Sequence, residues 1–80
     1  MAKGTSYWEL REKDRKEVLQ QIEDSIKEEQ AAIDVYRRRA DYAHTAFPTV
    51  ATVYNHIREE EEHHLQEFQD AAKNLRRETR

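Results

Sequence analysis

Cysteine is absent from this chain, so no disulfide can staple it. Its 80 residues make one small domain, and a domain of that size often needs a metal or a second chain to complete a core. One glycine and one proline leave little to interrupt a helix. Both charge signs are interleaved around a net charge of −3, so there is no basic stripe for nucleic acid and no basic amphipathic face for a membrane. Apolar runs long enough for a signal peptide or a membrane span are also missing, which makes the cytoplasm the expected location. Charged residues make up 39% and apolar ones 36%, a ratio that can signal disorder. Here the apolar residues recur at helical intervals, and that regularity predicts an all-α fold instead.

Clear punctuation occurs at Met1 to Thr5, expected to be flexible, and at Thr45-Ala46-Phe47-Pro48. Ser6 with Glu9 has the pattern of a capping box, placing a helix start near Tyr7. Leu19, Ile22, Ile26, Glu29, Ile33, Tyr36, Ala40 and Ala43 are spaced alternately three and four, the seam of a helix packed on another. A first helix is therefore expected over 19–44. Pro48 suits the first turn of a second helix, expected over 48–77, because its missing N–H has no intrahelical partner there. The rhythm returns in Tyr54, Ile57, Glu61, His64, Phe68, Ala71 and Leu75. Glu29, Glu61 and His64 are the only members of either series that are neither apolar nor aromatic.

A short link makes the two helices antiparallel neighbours. With the turn at residues 45 to 47, Ile33 faces Ile57, Ile22 faces Phe68, and Glu29 faces Glu61 and His64. Three polar residues on the buried stripe then share one level, where carboxylates are costly unless paired, hydrogen-bonded or bound to a cation. Glu61 and His64 lie three apart on one helical face, so a carboxylate oxygen and an imidazole nitrogen can reach the same ion. This donor set suits iron, manganese or zinc better than calcium, which takes six or more oxygens. One hairpin supplies half of the carboxylate-bridged dinuclear set of four-helix bundles, and a symmetric dimer would supply the whole.

Other readings of the same residues remain open. A polar layer can simply fix register. Glu60 with His63 is a shifted ligand pair, but using it would take Ile57 and Phe68 off the seam. Within the run from Glu59 to Glu62, Glu62 can pair with Arg58 on the surface. His44 and His56 read as exposed polar residues, Glu28 and Asp34 as outer-face residues, and Glu67 as open to a secondary exterior cation site or an entry path. Tyr36 is either core packing or a group beside the metal. Tyr7, Trp8 and Leu10 extend past anything their own hairpin can cover, so 7–18 reads as an oligomerisation segment. That segment either continues the long helix or forms a short one of its own capped by Asp14 and Glu17.

The segments EEQAAIDVY and IREEEEHH resemble the two metal-binding helices of the ferritin-like superfamily, over roughly Leu19 to Leu75. With two helices rather than four, the chain is most similar to the encapsulated ferritins. That resemblance implies a half-bundle that dimerises into a four-helix bundle with a di-iron ferroxidase site at the interface. Glu29 would be the carboxylate of the first helix, Glu61 that of the second, His64 the nitrogen ligand, and Tyr36 a group beside the metals. It also implies a higher homo-oligomer, iron detoxification or storage with a separate compartment, and residence in an encapsulin shell. Departures are Val35-Tyr36 where a Trp-Tyr pair is usual, Glu-Glu-His-His for Glu-Lys-Glu-His, and NLRRETR where a small apolar docking peptide would stand. A helical-hairpin adaptor holding structural zinc or manganese is the alternative from another class.

Overall fold

The computed structural model describes residues 7–77, with side chains described from Arg11 onward. The capping box at Ser6, the flexible start and the side chains of Tyr7, Trp8 and Leu10 therefore lie outside what is described. Two helices form an antiparallel hairpin: α1, Tyr7–Ala43, and α2, Pro48–Arg77. The segment before Leu19 is continuous with the rest of α1, so Asp14 and Glu17 cap nothing. From Glu9 to Glu17 it is built of good helix formers apart from Asp14, and it contains no Gly or Pro to stop it.

The turn follows from Pro48, which opens α2 where no N–H is needed. The Phe47 N–H donates to the Ala43 carbonyl at 2.8 Å, closing α1, and the Phe47 carbonyl accepts from the Ala51 N–H at 3.1 Å, opening α2. Two ion pairs, Arg37 with Glu62 at 3.9 Å and Arg76 with Glu23 at 3.2 Å, cross between the helices, and the Tyr36–Tyr54 stack lies at the register's level.

The hairpin measures 66 × 20 × 13 Å, one helix thick in its thinnest direction. Such a layer encloses little: among the described residues the buried apolar ones are Ile33 and four alanines, Ala40, Ala43, Ala51 and Ala72. Larger apolar side chains, including Leu19, Ile22, Ile26, Tyr54, Ile57, Phe68 and Leu75, are only half-buried.

On α2 the mostly apolar face divides into two heptad-spaced stripes, each carrying one polar residue. Ala51, Arg58, Leu65 and Ala72, seven apart, are buried or half-buried against α1. One residue earlier, Val50, Ile57, His64 and Ala71 form a second heptad-spaced stripe that is exposed except for the half-buried Ile57. The spacing assigned Ala71 and His64 to the seam. Instead Ala72 and Leu65 fill it, and Ala71 and His64 face outward on the flank α1 leaves uncovered.

Candidate metal centre

Glu29 lies on α1 two turns before Tyr36, and Glu61 and His64 lie one turn apart on α2. The antiparallel register brings all three to one level, and one ligand atom from each lies within 4.8 Å of the other two. Glu61 Oε1 is 3.9 Å from His64 Nδ1. That separation is long for a hydrogen bond, yet two donors bound to one ion at about 2.1 Å can span it. Among the described residues, no other three histidine, aspartate or glutamate side chains converge in this way.

The environment of the glutamates explains why the layer is costly without a cation. Glu29 Oε2 is buried and has no hydrogen-bond partner. The Glu29 carboxyl is held above its ordinary value of 4.5, first by a hydrogen bond with Glu61, then by burial and by the Glu61 charge, with His64 pulling the other way. A hydrogen bond between two carboxyl groups needs a proton. With both ionised, Glu29 Oε2 has no donor, and a bound cation would replace the missing proton. Buried oxygen, paired carboxyls and adjacent imidazole together fit a divalent transition metal.

The centre is open on one side. Glu61 is mostly covered, with 23% of its side chain exposed, but the His64 side chain is 50% exposed on the uncovered flank of α2. Three donors from one side leave further coordination positions to be filled from that flank.

Tyr36 stacks on Tyr54, with ring centroids 6.0 Å apart and planes inclined by 25°. Tyr54 lies seven residues before Glu61 as Tyr36 lies seven after Glu29, so the stack forms the next layer toward the turn. That mirrored spacing was readable in the sequence, although the stacking itself was not anticipated.

The remaining acidic and imidazole groups lie elsewhere. Glu62 takes a hydrogen bond from Arg58 at 3.0 Å, as the spacing predicts, with Arg37 on its other side. The shifted pair does not converge: Glu60 lies 3.7 Å from His56, and His63 lies 3.9 Å from Glu67, all four exposed. His44, Glu28 and Asp34 are exposed as well, Asp34 paired with Arg38 at 2.9 Å.

No helix among the described residues is long and apolar enough to cross a membrane. The family model for the ferritin-like domain matches residues 4–78. No curated protein and no solved structure matches the chain.

Proposed function

This chain belongs to the ferritin-like domain family, and from that premise we propose that it is a ferroxidase whose di-iron site is shared by two copies. The observation that carries this reading is the convergence of Glu29, Glu61 and His64 around a buried carboxylate oxygen that has no partner. Two hairpins facing each other would contribute four glutamates and two histidines, the donor set of carboxylate-bridged dinuclear bundles.

Ferrous iron is the substrate. Each of two Fe(II) ions gives up one electron; dioxygen takes the two electrons with two protons and leaves as hydrogen peroxide, whereas peroxide takes them with two protons and leaves as two waters. Glu29 and Glu61 release the proton they share as the cations arrive, and their negative charge favours the ferric product. His64, on the flank toward the second copy, offers an imidazole nitrogen as a ligand. The Tyr36–Tyr54 stack closes the layer toward the turn and limits water from that end.

A half-bundle encloses no mineral cavity, so the ferric product would be stored elsewhere, an encapsulin compartment being the proposed destination. The half-covered apolar residues favour the dimer and further association beyond it. Oxygen uptake on adding ferrous iron tests the activity. Uptake by the native chain and its loss in Glu29→Gln and Glu61→Gln support it. Retained zinc or manganese with no oxygen consumption would favour the structural-metal adaptor.

A further inference from the structure

Toward the turn from the glutamate layer, the hairpin changes sign. The whole chain carries a net charge of −3, yet between Val35 and Ile57 it holds three arginines and one aspartate. The arginines are consecutive, so their side chains leave α1 about 100° apart and cannot all meet one partner. Arg37 reaches Glu62 across the hairpin at 3.9 Å, and Arg38 reaches Asp34 along its own helix at 2.9 Å. Among the described residues, Arg39 has no carboxylate partner.

Arg39 borders a groove. With Arg38, Tyr42, Ala43 and Tyr54 it lines an open depression of about 320 Å³. Ala43 is buried and contributes only a methyl group, which leaves that space unfilled. The two rings differ in how they are held. Tyr54 is half-buried and fixed by its stack on Tyr36, whereas Tyr42 is 93% exposed, with nearly all of its ring left to water.

These groups select a chemistry. A guanidinium fork matches the oxygens of a phosphate and is weakly hydrated, so it gives up water for an anion more readily than an ammonium does. Phenol rings offer flat apolar faces to another ring. The volume stands at the lower end of small-molecule sites, which run from about 300 to 1,000 Å³. A single unpaired guanidinium provides no track for a nucleic-acid backbone, which needs a row of cations.

We propose that this groove binds a flat aromatic ring bearing a phosphate, of mononucleotide size, with the phosphate on Arg39 and the ring laid against Tyr42 and Tyr54. None of Glu29, Glu61 and His64 lines the groove, so binding does not depend on the metal and occurs in chelator.

Flavin mononucleotide is a suitable probe, because its fluorescence is quenched when its ring stacks on a phenol. Titrated into metal-free protein at low salt, it should be quenched saturably. Riboflavin, the same ring without phosphate, should bind at least about tenfold more weakly. Arg39→Gln should weaken flavin mononucleotide by about tenfold and Tyr42→Ala by about threefold or more. Both residues are exposed, so circular dichroism should show unchanged helicity. Arg37→Gln removes the same charge outside the groove and should leave binding within about twofold of native. Quenching that fails to saturate by about 1 mM would overturn the site. So would riboflavin binding as tightly as the phosphate, or an equal loss in Arg37→Gln and Arg39→Gln, which would reduce the effect to general charge.

Discussion

Glu29 on α1 and Glu61 on α2 approach closely enough for their carboxyl groups to share a proton, and that pairing holds Glu29 above its ordinary pKa. The metal-free hairpin is therefore least at ease when both are ionised, the state that a cation requires. Glu29→Gln keeps the shape and removes one charge. In chelator its thermal midpoint should equal or exceed that of the native chain, while iron retention is lost. Circular dichroism melts and metal analysis of the same samples check this; a large drop in the midpoint would show that Glu29 stabilises the metal-free fold.

The pH dependence has a definite sign. A carboxyl that holds its proton more tightly folded than unfolded stabilises the fold while protonated, and the benefit fades as pH rises from about 4.5 through the raised folded value. Metal-free stability should thus contain a component that falls as pH rises over that window, and Glu29→Gln should lack it. Iron binding releases the proton and should strengthen with pH over the same window. Melts in chelator at a series of pH values, native against Glu29→Gln, separate this component from the other carboxylates.

His64 is half exposed and packs against little. His64→Ala should change metal-free stability by no more than about 0.5 kcal/mol. Its loss should weaken metal binding by roughly tenfold or more, a separation of effects that a packing residue would not show. Competition with a chromogenic chelator measures the second quantity.

Glu62 offers a control beside Glu61. It is 42% exposed between Arg58 and Arg37, and such surface pairs contribute about 0.5 kcal/mol or less. Glu62→Ala should leave iron retention intact, whereas Glu61→Ala should abolish it. Equal losses in metal analysis would mean that the ligand assignment on α2 is wrong by one residue.

Much of this architecture was legible in the sequence, for reasons tied to particular residues. Pro48 placed the turn, and the turn placed Glu29 level with Glu61 and His64. The division of α2 into two stripes was not legible. Ala71 and Ala72 are chemically identical, so pattern cannot say which faces α1, and Arg58 sits on the buried side because its aliphatic stem covers apolar surface while its guanidinium reaches Glu62. The outward turn of His64 follows from the same division. Sequence alone does not decide the continuity of α1 through Asp14 and Glu17, because a cap-like pair reads alike at a helix start and inside a helix; with no Gly or Pro between Tyr7 and Asp14, the helix passes through.

The central claim is that one chain carries half a site and that metal joins the halves. Light scattering coupled to size exclusion, with iron quantified in each peak, tests it most directly. Metal-free protein should run at a smaller mass than protein given ferrous iron anaerobically, with one iron per chain in the larger species and neither change in Glu29→Gln. An unchanged mass with no iron retained would contradict it.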